Sequence, residues 1–158
     1  MKREAQSARE YDLFTNVNHL LRRAHQRAEA IFAETMEGLD ITPRQATLLY
    51  VVLHNPGASL TDVVQLGGMD RGTTSEMVPR MVRRGLLVES RAADDGRAKA
   101  LTITDEGAEL IRAVIERTDD VRAAVLSTLP PEYHALFVKM LSLMTGMETE
   151  VRTVSDHA

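Results

Sequence analysis

The chain has 158 residues, 19 basic and 23 acidic side chains for a net charge of −4, no cysteine and no tryptophan. That length suits one domain with helical extensions, and the lack of cysteine excludes disulfides, thiolate metal sites and thiol redox sensing. No apolar run reaches the roughly 20 residues of a membrane span and the first residues lack a signal-peptide core, so a cytoplasmic protein with no membrane partner is expected.

Residues 8–38 are expected to form one long helix, because Leu13, Val17, Leu20, Leu21, Ala24, Ala28, Ile31 and Phe32 recur at helical spacing. Asn18, Arg22, His25 and Glu29 stack every three or four residues along it, either as a solvated face with intrahelical pairs or as the polar side of a cleft. Thr42-Pro43-Arg44-Gln45 combines a cap, a proline at the first helical position and a glutamine at the third, so a second helix should run to about His54. Asn55-Pro56-Gly57 breaks it, Ser59 caps a short helix from Leu60 to about Leu66, and Gly67-Gly68 makes a tight turn. Asp70 then caps a helix over residues 71–84 whose apolar face is Met77, Val78, Met81 and Val82, packed on Leu60, Val63, Val64 and Leu66. Its other face opens with Arg71, Thr73, Thr74, Ser75 and Glu76. Pro79 removes the backbone hydrogen bond to Ser75, which costs about 3 kcal/mol in a helix interior and predicts a kink or a loosened turn. Gly85 ends the helix behind Arg83 and Arg84.

Leu86-Leu87-Val88 and Ala98 to Thr104 are two β-type runs with Ala92 to Gly96 as the turn, a hairpin tipped by Asp94, Asp95, Gly96 and Arg97 and flanked by Arg91 and Lys99. Helix, turn, helix and hairpin in this order make a winged helix-turn-helix, with the Asp70 helix as the reading helix. Thr104 caps a further helix opened by Asp105 and Glu106, with apolar positions continuing to about Leu129. Pro130-Pro131 interrupts the pattern, and a last helix carries Tyr133, Leu136, Phe137, Met140, Leu141, Met144 and Met147. The long apolar stripes at both ends exceed what one small winged domain can bury, which predicts a two-fold homodimer.

Charge follows the same division. Residues 70–104 hold 7 basic and 5 acidic side chains, whereas residues 105–158 hold 5 and 10, so the segment around the reading helix is the positive one. Arg71, Thr73, Thr74 and Ser75 are the candidates for base contacts, and Arg80, Arg91 and Lys99 for phosphates. Arg97 can enter a minor groove with Asp95 orienting its guanidinium. The histidines His19, His25, His54, His134 and His157 show no metal-ligand spacing, and neither a phosphate-binding glycine loop nor a nucleophile elbow is present. No enzyme, metal site or cofactor is expected.

Asp70-Arg71, Arg83-Arg84-Gly85-Leu86, the run Asp94-Asp95-Gly96-Arg97-Ala98-Lys99 and Leu101-Thr102-Ile103-Thr104-Asp105-Glu106-Gly107 together resemble the MarR family of winged helix-turn-helix transcription regulators, over roughly residues 40 to 110. Gly96 departs from the bulkier residue more usual there, and Pro79 departs within the reading helix. The resemblance implies a mainly α fold with a small β-hairpin wing, a DNA-binding domain over 42–104, and N- and C-terminal dimerisation helices over 8–38 and 105–153. It implies a repressor that binds a pseudo-palindromic operator in double-stranded DNA as a homodimer and is released by a small organic effector such as an aromatic or phenolic carboxylate. Asn18, Arg22, His25 and His54 are the polar candidates for holding that effector. The competing reading is a winged-helix protein-interaction module without specific DNA binding.

Overall fold

The computed structural model describes residues 12–91 and 99–146. The hairpin tip with Asp94, Asp95, Gly96 and Arg97 lies outside the described residues, as do residues 1–11 and 147–158. The chain divides into two compact units, with the boundary between Val121 and Arg122.

In the first unit the expected long N-terminal helix is shorter. A 3-10 turn, Leu13–Thr15, precedes α1 (Val17–Thr35), because Asp12 caps the turn and Asn16 caps the helix by accepting from the His19 N–H at 3.1 Å. Two caps in succession restart the backbone where apolar spacing alone reads through. α2 (Pro43–His54) begins in the capping box expected at Thr42 and Gln45, and α3 (Leu60–Gly67) in a second box formed by Ser59 and Asp62. Gly68, at φ +60°, supplies the left-handed residue that turns the chain into α4 (Arg71–Arg83), which is capped by Asp70. This helix runs through Pro79. Its C-terminus closes with Gly85 donating to Val82 O at 2.9 Å and Leu86 donating to Met81 O at 3.0 Å, the paired bonds of a Schellman ending.

β1 (Leu87–Arg91) pairs antiparallel with β2 (Lys99–Ile103), setting Glu89 opposite Leu101 and Arg91 opposite Lys99. The hairpin root is tied back to the α2–α3 connection by an isolated bridge. Gly57 donates to Leu101 O and Leu101 donates to Ala58 O, both at 2.9 Å. α5 (Asp105–Glu116) follows the Thr104 cap, then α6 (Thr118–Leu126). The single helix expected there is divided at Arg117. The Arg117 N–H turns to Val114 O, and its guanidinium donates to Thr35 O and Glu37 O at 3.2 Å each, fastening the end of α5 to the end of α1.

The core of this unit joins α2, α3, α4, the hairpin and α5. Leu48, Leu49, Val52, Val63 and Met81 have no exposed surface, and Leu87, Leu101 and Ile111 are nearly as buried. Each such side chain contributes roughly 1.5–3 kcal/mol by leaving water, so burial sets where α4 sits and Pro79 is tolerated inside it. α1 contributes no fully buried residue. Its leading apolar side chains Val17 and Leu20 are exposed, as is Phe14 in the turn before it. In the second unit, a 3-10 turn, Pro131–Tyr133, leads into α7 (His134–Met144), where Leu136, Met140, Leu143 and Met144 are exposed.

Candidate nucleic-acid interface and ligand cleft

At the start of α4 the carboxylate of Asp70 accepts from the Thr73 N–H at 2.7 Å, which fixes the first turn and leaves Arg71, Thr73 and Ser75 exposed along one edge. Arg71 donates from Nη1 to the Thr61 hydroxyl of α3 at 3.4 Å, and the Ser75 hydroxyl donates to Gly72 O. Thr74 departs from the expected set of contact residues. It has no exposed surface and its hydroxyl donates to Asp70 O at 2.8 Å, so it packs beneath the helix rather than presenting itself to a ligand. Arg80 lies exposed with Glu76 3.8 Å away, and Lys99 pairs with Glu89 across the hairpin at 2.9 Å. Exposed pairs of this kind are worth about 0–1 kcal/mol, so either cation can exchange its partner for a phosphate. Arg91 shares the Lys99 rung of the ladder.

The first turns of α3 and α4 are each held by a titratable carboxylate, Asp62 and the Asp70 cap. Asp70 is held below its ordinary value of 3.8 by the Thr73 hydroxyl, with further help from the Thr73 N–H and the nearby Arg44 charge. Asp62 is likewise lowered, first by the Ser59 N–H and then by its hydroxyl. With native values below unfolded ones, their stabilising contribution is full above 3.8 and is lost as pH falls through the native values. An Asp62→Asn/Asp70→Asn double variant keeps cap acceptors but not the titration, so it should lose less stability than the parent between about pH 5 and about pH 3 in urea titrations.

A second feature of the same unit is a cleft of ≈ 580 Å³. Phe32 and Met36 from the end of α1 face Ala46 and Tyr50 of α2, with Ile111 and Val114 of α5 forming the floor. Thr47, Thr118 and Asp119 are the polar groups on its wall besides the Tyr50 hydroxyl. The expected effector residues are elsewhere. Arg22 lies 3.2 Å from the His19 ring on α1 and His25 is 3.3 Å from Glu29, which is the solvated face with intrahelical pairs. Asn18 is exposed, and His54 touches the cleft only indirectly, its ring 4.2 Å from that of Tyr50.

Comparison with known proteins places this architecture. The MarR family model matches residues 39–98. The structure of BpsR from Bordetella bronchiseptica, whose DNA binding is regulated by 6-hydroxynicotinic acid, superimposes with a TM-score of 0.80 at 30% identity, covering 85% of this chain and 96% of that one. The chain belongs to the MarR family.

The PcaV transcriptional regulator from Streptomyces coelicolor, solved in complex with its natural ligand, gives a TM-score of 0.77 at 32% identity over 86% of this chain and 96% of PcaV. The transcriptional regulator HosA of Escherichia coli O157:H7 is 28% identical over 126 residues, 80% of this chain and 92% of its own length. This MarR protein is therefore a transcriptional regulator with a winged-helix fold, as the residues from Asp70 to Gly107 suggested. In this MarR chain sequence reasoning missed the cleft wall. It is gathered from four helices, α1, α2, α5 and α6, whose apolar residues carry no sign of serving a cavity rather than a core.

Proposed function

We propose that this MarR-family chain is a ligand-responsive repressor that binds a pseudo-palindromic operator as a homodimer, with the two α4 helices in successive major grooves about 10 bp or 34 Å apart. The observation that supports this most directly is the first turn of α4. It is rigidly capped, and it presents Arg71, Thr73 and Ser75 as an exposed edge of short donors beside a basic hairpin. Those three side chains are proposed to read bases. Arg80, Arg91 and Lys99 are proposed to hold phosphates, and Arg97, with Asp95, to reach a minor groove.

Dimerisation is proposed through residues 8–38 and 105–153. The exposed apolar side chains of α1 and α7, including Val17, Leu20, Met140 and Leu143, support it, since surface of this kind is buried by a partner in a stable protein. A small organic effector in the Phe32–Tyr50 cleft would favour half-site spacings that fit DNA poorly, so effector and operator oppose each other by linkage. A cytoplasmic location is proposed along with this role; no described helix is long and apolar enough to cross a membrane.

Fluorescence titration of the dimer against its own upstream DNA and a scrambled duplex, at two salt concentrations, tests the reading. Tight, sequence-selective binding is expected. Equal weak binding to both duplexes with the dimer intact would instead favour a protein-docking module.

A further inference from the structure

The wall of the Phe32–Tyr50 cleft specifies the charge of what it takes. Its size falls in the roughly 300–1,000 Å³ range of small-molecule sites, and its body is apolar with two aromatic rings. The polar groups are biased toward accepting. Thr47 donates its hydroxyl hydrogen to Pro43 O at 3.0 Å and Thr118 donates its own to Val114 O at 3.2 Å, leaving only lone pairs on both oxygens. Asp119 adds a carboxylate. Among the described residues that line the cleft, Asp119 is the charged one and the Tyr50 hydroxyl the remaining side-chain donor.

Among the described residues no basic side chain lines the cleft, and Arg117, next to Thr118 in the chain, donates from Nη1 to Thr35 O and Glu37 O at 3.2 Å each. A carboxylate placed here would meet Asp119 and a single hydroxyl donor, and burying an anion so poorly paired is unfavourable. A protonated amine finds the opposite: a carboxylate, threonine lone pairs and the aromatic side chains of Phe32 and Tyr50.

We infer that the cleft takes an amphipathic amine, an aromatic or branched apolar body bearing one protonated nitrogen against Asp119. The inference rests on the reading of this cleft as the effector site, and it departs from the acid that regulates BpsR.

Because the chain has no tryptophan, the anisotropy of an indole probe reports binding without interference from protein indole. Tryptamine and indoleacetate, similar in body and opposite in charge, are titrated into the full-length protein, into Asp119→Asn and into Asp120→Asn, the neighbouring acid that does not line the cleft. Tryptamine should bind on the order of tenfold more tightly than indoleacetate. Asp119→Asn should remove most of that preference and Asp120→Asn should leave it in place. Indoleacetate binding as tightly as tryptamine, an unchanged preference in Asp119→Asn, or no binding of tryptamine would each overturn the amine assignment. A parallel titration with the upstream duplex separates the two claims. DNA release by indoleacetate keeps the effector site and rejects the amine, whereas Asp119-dependent tryptamine binding that never alters DNA affinity keeps the amine and rejects the effector site.

Discussion

Replacing Gly107 by alanine should lower stability by about 2 kcal/mol or more, although alanine is the better helix former by about 1 kcal/mol. Gly107 stands in the first turn of α5, where an added Cβ would clash with the Leu86 carbonyl oxygen and lie 2.9 Å from Ile103 Cγ1. That carbonyl cannot easily yield. It accepts the Thr104 N–H at 3.2 Å, and the Leu86 N–H is tied to Met81 O near the end of α4. Thr104 closes the knot, since its hydroxyl donates to Gly85 O at 2.7 Å and accepts from Gly107 N at 3.0 Å. Overpacking against so constrained a neighbour costs about 3 kcal/mol, which outweighs the propensity gain. For a chain of this size the net loss corresponds to a fall in Tm of about 4–8 °C, read at fixed protein concentration because the Tm of the proposed dimer would depend on it. Gly72→Ala is the control. There the nearest atom is Asp70 Oδ1 at 3.4 Å, so Tm should hold or rise. An equal fall in both variants would show that helix position rather than the Leu86 carbonyl governs the loss.

Features written in local chemistry were legible. The caps at Thr42, Ser59, Asp70 and Thr104 need only a side-chain acceptor within three residues of a free N–H, and all four are formed. Gly85 and Gly68 announced the turns that they make. The departures arise where a longer-range term decides. Apolar spacing ran through Asn16 and Arg117 because periodicity does not weigh a cap or a guanidinium that finds carbonyls 80 or more residues away. Thr74 was recoverable: it precedes Met77, Val78 and Met81 by three, four and seven residues, which places it on their inward face, and its polarity hid that. The cleft was not recoverable. Phe32, Tyr50 and Asp119 meet only after α1, α2, α5 and the start of α6 have packed, and no spacing in the chain connects them.

Arg71→Ala is expected to weaken binding to the preferred duplex by about 1–3 kcal/mol per half-site, with a much smaller effect on a scrambled duplex. Arg71 occupies the first position of α4, where its guanidinium is exposed and steadied by the Thr61 hydroxyl 3.4 Å away, so it can offer paired donors to a base edge without first ordering the side chain. Lys99 is the contrasting case. It is held by Glu89 on the hairpin and offers a point charge without a fixed direction. Lys99→Ala should therefore weaken both duplexes alike and reduce the slope of log K against log salt by about 0.9 for each phosphate that the ammonium neutralises. Arg71→Lys divides the alternatives for the first residue. It keeps the charge and therefore the salt slope but loses the planar fork, so discrimination between the duplexes should fall nearly as far as in Arg71→Ala. Should Arg71→Lys instead restore both affinity and discrimination, Arg71 belongs with the residues that hold phosphates, and sequence reading passes to Thr73 and Ser75.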